Sequence, residues 1–393
     1  MEGEIYAFLN EPFNYRELHN FLGTRRNIQE RREANNRGIK LLEHFSTIPN
    51  RNVEIDCINP GCNLQMKAHS DRTIAVGWRF CCPANHKISA TNNTFLHNVR
   101  LREIGADRIV EIIAYWLDQQ PLDYTIAETK IATDTAVAWY KYCRDVARKV
   151  AWHNFRQIGG PQDIVEVDET HLTKRKYNIG RHTAWRHCWV FGGTSRTSKK
   201  VFATTVEDRS ANTLLPIMQQ FIDHETFICS DEWRAYGLCN QLFSGHGTVN
   251  HSVNFLNPAR DDDPLWMPAG RFHENCLDEA FNGPVPNVNM VPIRYHTQNI
   301  ERQWRALKTI FKRGSGITYA DDYIGEWMYR TNDLSEVNSR AARFEMFCRD
   351  IARAYPGPGR RGARCPQILL NAIATSASRY KSASKIPIFL SSF

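Results

Sequence analysis

Val165-Glu166-Val167-Asp168-Glu169-Thr170 sets two valines among three carboxylates in the space of six residues. Alternation predicts a strand with Val165 and Val167 on one face and Glu166, Asp168 and Thr170 on the other. A carboxylate in the middle of a buried strand is costly unless a cation or a partner neutralises it, so the strand marks a site as well as a sheet. Outward from it, Ile164 to Leu172, Trp185 to Phe191 and Val201 to Val206 read as strands. Ser210 to Ile222 reads as a helix capped by Ser210, and Phe227-Ile228-Cys229 as a short buried strand ending on Asp231. Thr248 to Phe255 predicts a further strand, and Thr297 to Arg313 and Asp321 to Arg330 predict helices. This order makes a mixed α/β sheet the expected architecture. Residues 256 to 294, rich in Pro, Asn and Asp, read as an insertion within it.

Two further acids join Asp168. Asp231 stands at the end of a strand, where ligand sites gather in open α/β sheets. Glu301 opens a helix on which Arg305, Lys308 and Lys312 follow at +4, +7 and +11. These positions share a stripe, so one helix offers a carboxylate to a metal and a basic rail to DNA. Asp168, Asp231 and Glu301 are therefore candidate ligands for two Mg²⁺ or Mn²⁺ ions ~3.5–4 Å apart, an arrangement that activates a nucleophile and stabilises the leaving oxygen in phosphoryl displacement. If 256 to 294 is not an insertion, Glu274, Asp278 or Glu279 replaces Glu301 as the third acid.

The N-terminal half has a different character. Residues 1 to about 50 read as helical, with Arg25, Arg26, Arg31, Arg32, Arg37 and Lys40, interleaved with Glu30, Glu33 and Glu43, on a solvated face. Val53 to Ser89 is Cys-, Gly- and Pro-rich, with a β-like run from Thr73 to Phe80, and a segment this short needs a staple. Cys57-x4-Cys62 and Cys81-x4-His86 supply two ligand pairs eighteen residues apart, the donor set of one structural Zn²⁺ in a zinc ribbon. Cys82 competes with Cys81 for the third position. Ile126 to Ile131, a turn, and a helix capped by Thr133 or Asp134 then read as a helix-turn-helix. Ala136, Tyr140, Cys143, Ala147 and Val150 face its core, while Thr135, Lys141, Arg144 and Arg148 face solvent or DNA.

Composition sets the limits. The 393 residues include 42% apolar and 23% charged residues, which excludes disorder, a coiled coil or a collagenous rod. No apolar run approaches the ~18 residues of a membrane span, and the first thirty residues lack signal-peptide order, so an intracellular protein without a membrane partner is expected. The eleven cysteines, an odd number, favour metal ligation over a disulfide framework. The net charge is +8, but the seven basic residues after Asp350, with no acid among them, hold +7 of it. The folded part is nearly neutral, and any affinity for DNA must come from local basic faces.

The words around the acids are more specific. Val165-Glu166-Val167-Asp168-Glu169-Thr170, Ser230-Asp231-Glu232-Trp233-Arg234-Ala235-Tyr236, Val249-Asn250-His251-Ser252 and His296-Thr297-Gln298-Asn299-Ile300-Glu301-Arg302-Gln303-Trp304-x3-Lys308 occur in this order. Together they resemble the Merlin family of DDE transposases and the related bacterial insertion-sequence transposases. With the ribbon, Trp78-Arg79 and the helix-turn-helix, the resemblance covers roughly residues 40 to 330.

It implies an RNase H-like catalytic core with Asp168, Asp231 and Glu301 as the metal-binding triad, and supporting roles for His251, His296 and Asn299. It also implies cleavage of transposon terminal inverted repeats and strand transfer into target DNA. The partners it implies are double-stranded DNA and a homodimer or higher oligomer, in the nucleus of a eukaryote or otherwise the cytoplasm or nucleoid. The expected domains are an N-terminal helical region (1–50), zinc ribbon (51–100), helix-turn-helix (101–155), RNase H-like domain (156–335), and C-terminal helix with a basic tail (336–393). Three features depart from the family pattern: the longer stretch from Asp231 to Glu301, His86 where relatives often have Cys, and Gln298 where a small polar residue is usual. Competing expectations are an inactive transposase-derived DNA-binding protein and an RNase H-like nuclease without strand transfer.

Overall fold

Residues 15–97, 99, 101–172, 188–249, 266–268, 290–292, 295–311 and 319–358 are described by the computed structural model. They fall into two units, one holding the described residues up to His153 and those from Leu334 onward, the other those within Asn154–Asp333.

The first unit begins with α1 (Tyr15–Leu22) and α2 (Ile28–His44). Asn27 caps α2 by accepting the Glu30 N–H at 2.9 Å. A four-stranded antiparallel sheet follows, β1 (Ile55–Asp56), β2 (Gln65–Ser70), β3 (Trp78–Cys81) and β4 (Lys87–Ser89), in sequence order. The β-like run expected from Thr73 becomes strand only at Trp78. Before it, Gly77 at φ +82° closes a turn in which the Asp71 N–H reaches the Gly77 carbonyl at 2.9 Å. Trp78 and Phe80 are buried on one face of β3.

Next come α3 (Leu101–Ile104), α4 (Ala106–Leu117), α5 (Leu122–Thr129) and α6 (Thr133–Asn154). The turn between α5 and α6 is made by Lys130 in the left-handed conformation, and Ala136, Tyr140, Cys143, Ala147 and Val150 are all buried along α6. Helices α2 and α4 approach closely because Gly38 has no side chain. A Cβ there would stand 2.4 Å from the Asp107 nitrogen.

The second unit is built on a five-stranded mixed sheet. Its strands are β5 (Ile164–His171), β6 (Trp189–Ser195), β7 (Val201–Val206), β8 (Phe227–Asp231) and β9 (Gly245–Val249), in the order β7-β6-β5-β8-β9. Strands β5, β6 and β7 are antiparallel neighbours, and β8 and β9 run parallel to β5. Helix α7 (Ala211–Phe221) joins β7 to β8, and Phe221 stacks on Phe202 of β7 at 5.1 Å. The short α8 (Cys239–Leu242) precedes β9.

Of the expected insertion, β10 (Trp266–Pro268) and β11 (Met290–Pro292) are described and form an antiparallel pair. Beyond it lie α9 (Gln298–Ile310) and α10 (Ala320–Asn332), and Asn332 bridges to the backbone of Val201 at 2.8 Å in both directions. Strand β6 extends to Ser195, past the predicted end at Phe191. Gly192 and Gly193 are strand because they pair with β5 on one side and β7 on the other, and glycine is needed at 192 because a Cβ would stand 2.8 Å from the Trp304 ring of α9. The chain returns to the first unit with α11 (Arg340–Ala354), whose Phe347 packs on Trp116 of α4 at 4.8 Å between ring centroids.

Candidate functional site

The alternation of β5 is realised in space. Val165 and Val167 are fully buried, and the other face meets α9. Glu166 accepts hydrogen bonds from the backbone N–H groups of Asn299 (2.8 Å) and Ile300 (3.2 Å), Asp168 from Trp304 Nε1 (3.0 Å), and Thr170 Oγ1 from Lys308 Nζ (2.6 Å). Helix and strand thus run side by side in the same direction. Four helical residues advance about 6 Å and two strand residues about 6.6 Å, so the contacts stay in step. Glu301, in the first turn of α9, falls between the levels of Glu166 and Asp168.

Glu166 is the buckle of this arrangement. Its side chain is 0% exposed and accepts from Arg196 Nε at 2.7 Å, with Arg196 itself 2% exposed. Asn299 Nδ2 donates to it at 2.8 Å, and His296 Nδ1 lies 3.2 Å away. A carboxylate at a helix N-terminus pairs with free N–H groups and the positive end of the helix dipole, and here a buried guanidinium joins them. Arg196 also donates to the His296 carbonyl at 3.0 Å, tying the entry of α9 to the sheet. His296 and Asn299 are therefore gathered around Glu166.

Asp168, Glu169 and Asp231 form a group in which one carboxylate oxygen from each lies within 4.8 Å of the others. The sheet brings them together. The β5–β8 register pairs Glu166 with Cys229, and two residues further along stand Asp168, in the carboxyl-terminal half of β5, and Asp231, the last residue of β8. Asp231 Oδ1 accepts the Trp233 N–H at 3.0 Å, and Glu169 accepts from the Tyr236 hydroxyl at 2.8 Å. Burial pushes the Asp168 carboxyl up to about 7, helped by the charges of Glu169 and Asp231, and burial also raises Glu169 and the Tyr236 hydroxyl.

Glu301 stands outside this three-carboxylate group. Glu169 stands inside it, although alternation assigns it to the opposite face of β5. It lies two residues from the end of β5. Arg209 lies beside the group, between the rings of Trp189 (4.3 Å) and Trp233 (4.4 Å). Nothing in the sequence pattern singles out Arg209, whereas Tyr236 closes the Ser230–Tyr236 motif. Arg305 is exposed on α9, while His251 and Lys312 lie outside the described residues.

The cysteine-rich sheet holds a second cluster, Cys57, Cys62, Cys82 and His86. Cys57 Sγ is 3.8 Å from Cys82 Sγ, and both thiols are 3.4 Å from His86 Nδ1. Ligands at Zn–S ~2.3 Å and Zn–N ~2.05 Å on a tetrahedron stand about 3.8 Å (S to S) and about 3.6 Å (S to N) apart, so the spacing fits a tetrahedral zinc ion. Each pair sits on a tight turn. Gly61 at φ +81° shapes the first, where the Cys62 N–H reaches Asn59 O, and Asn85 at φ +64° shapes the second, where the Asn85 N–H reaches Cys82 O.

Of the two cysteines that compete for the third position, Cys82 is a member of this cluster and Cys81 is not. It is held in β3 opposite Lys67 and Lys87 and shares the Arg79 face, whereas Cys82 begins the turn. Asn59 Nδ2 lies 2.8 Å from His86 Nε2 and steadies the ring from outside.

On α6, Thr135 is half-buried in the first turn and Lys141 is exposed. Arg144 is half-buried, and Arg148 pairs with Asp145 at 2.9 Å. Arg148 is thus engaged within its own helix. Burial favours the neutral Asp145, but Lys149 and Arg148 outweigh it and hold the carboxyl down at about 2.

Fold and site together define a mixed-sheet α/β domain with a carboxylate cluster towards the carboxyl ends of its central parallel strands. Residues 160–261 match the family described as the ISXO2-like transposase domain, a match that covers β5 to β9 and supports a DNA transposase of the DDE insertion-sequence type. No curated protein matches the chain. No helix among the described residues is long and apolar enough to cross a membrane.

Proposed function

We propose that the protein is a Merlin-type DDE transposase that binds transposon terminal inverted repeats, cleaves them and transfers the strands to target DNA as a dimer or higher oligomer. The observation that carries this reading is the pairing of Asp168 with Asp231 across adjacent parallel strands, next to a helix locked to the same strand and bearing Glu301. Three antiparallel strands followed by two parallel ones, with acids on the first and fourth in sequence, support an RNase H-like core.

The all-oxygen donor set fits Mg²⁺ or Mn²⁺, and the burial and neighbouring carboxylates that raise Asp168 are what a divalent cation offsets. Asp168, Asp231 and Glu301 are the proposed ligands, and Glu169 is near enough to contribute. Bound ions supply nucleophile activation and leaving-oxygen stabilisation for phosphoryl transfer. The protein's own part is positional. Glu166 and Arg196 fix the start of α9, Trp304 orients Asp168, and Lys308 with Arg305 offers positive charge to the DNA backbone. In the first unit Cys57, Cys62, Cys82 and His86 hold one structural Zn²⁺ in a zinc ribbon, and α5 and α6 serve as a helix-turn-helix with Thr135 and Lys141 towards DNA.

The test is incubation of the purified protein with labelled duplexes from the DNA flanking its gene, with Mg²⁺ or Mn²⁺. Strand cleavage and joined products are expected from wild type. Asp168→Ala and Glu301→Ala should abolish both while leaving duplex binding intact. Equal product from wild type and variants, or none from any, refutes the catalytic reading.

A further inference from the structure

The basic residues of α2 are not merely a solvated helix face, because they wall a cleft of about 1340 Å³ within the first unit. Arg31 and Arg32 come from α2, Arg72 from the turn between β2 and β3, and Lys130 and Thr135 from the α5–α6 turn and the first turn of α6. The wall is rigidly placed. Gly38 lets α2 press on α4, and Asn35 Oδ1 accepts the Ala106 N–H at 2.8 Å.

Two further cations of the lining, Arg25 and Arg108, are neutralised internally. Arg25 pairs with Asp107 and with Glu111 (2.9 Å), and Arg108 lies 3.7 Å from Glu111. Arg31, Arg32, Arg72 and Lys130 also line the cleft, and of its two lining carboxylates, Glu103 and Asp107, the latter is paired with Arg25. Arg31, Arg32, Arg72 and Lys130 are all exposed, and among the described residues neither Arg32 nor Lys130 has an ion-pair partner.

We infer that this cleft is a phosphate clamp for duplex DNA. It would grip the sugar–phosphate backbone beside the groove entered by the start of α6, with α2 supplying contacts that the helix-turn-helix alone lacks. The inference rests on the DNA-binding part of the proposed function and adds α2 and the β2–β3 turn to it. Cations fixed on three separate elements around a concave surface suit a polyanion of regular charge spacing, and phosphate contacts position a duplex without reading its sequence.

The experiment is fluorescence anisotropy with mixed-sequence duplexes of about 30 base pairs, between about 50 and 200 mM salt. The full chain is compared with an Arg31→Ala/Arg32→Ala/Lys130→Ala variant and a Lys87→Ala/Arg349→Ala charge control, each checked for unchanged melting. The triple variant should lose roughly 10- to 100-fold in affinity near 0.15 M salt on every duplex, with the salt slope smaller by about 2–3, since each phosphate contact contributes about 0.9. The control should keep the wild-type slope, and Thr135→Ala should leave the slope unchanged. A triple variant with wild-type affinity and slope overturns the clamp while leaving DNA binding in place. A wild-type chain that binds no duplex overturns both readings.

Discussion

Replacing Glu166 by Gln keeps the shape of the buckle between β5 and α9 and removes its charge. In the native site two carboxylate oxygens accept from Arg196 Nε, the Asn299 N–H and Nδ2, and the Ile300 N–H, all between 2.7 and 3.2 Å. A glutamine has one acceptor oxygen and an amide that points N–H groups at other donors, so at least one donor loses its partner and the buried guanidinium of Arg196 loses the carboxylate it pairs with. Breaking a buried pair in this way costs about 3–5 kcal/mol. For a unit of this size that is roughly 10 °C in the melting of the second unit.

Calorimetry of the purified protein measures the shift, and hydrogen exchange should show the first-turn amides of α9 opening much faster. Arg196→Met alone should also destabilise the unit, but Glu166→Gln/Arg196→Met should cost at least about 2 kcal/mol less than the sum of the two, because the second change removes the guanidinium whose carboxylate is lost. A Glu166→Gln shift below about 2 °C, or strictly additive variants, refutes the view that this carboxylate holds α9 to the sheet.

Three further outcomes are expected. Asp168 has its carboxyl raised to about 7, so in the absence of divalent cations its contribution to stability is complete below about pH 4 and is lost as pH rises through about 7. Melting of the metal-free protein should therefore fall over that window and the fall should flatten in Asp168→Asn, while Mg²⁺ should raise melting more at pH 8 than at pH 5; identical profiles for the two proteins would contradict the burial argument. Metal analysis should find about one zinc per chain in wild type and Cys81→Ser, and little in Cys82→Ser, the reverse result returning the ligand role to Cys81. Gly38→Ala places a methyl 2.4–2.8 Å from the backbone of Ala106 and Asp107, which side-chain rotation cannot relieve, and should destabilise the first unit by about 1–3 kcal/mol in urea unfolding, whereas a neutral outcome would mean that α2 and α4 are not in such close contact.

Sequence alone determined what depends on neighbours a few residues away. The period of two along Val165 to Thr170 separated the apolar face of β5 from the carboxylate face, the period of 3.6 placed the buried row of α6, and Gly- and Pro-marked turns pointed to paired metal ligands. Tertiary structure decided everything that depends on which distant elements meet. Glu166 reads as one more acid on a strand until Asn299, more than a hundred residues later, turns its N–H towards it. Glu169 belongs by alternation to the wrong face, yet in the fold it joins Asp168 and Asp231. Cys81 and Cys82 both stand within ligand spacing of His86, and the register of β3 separates them. The arginines of α2 looked solvated because a helical pattern records which residues share a face, but not what is folded opposite that face. Local periodicity follows from backbone geometry, whereas these contacts follow from strand register and chain reversal, which a linear pattern does not encode.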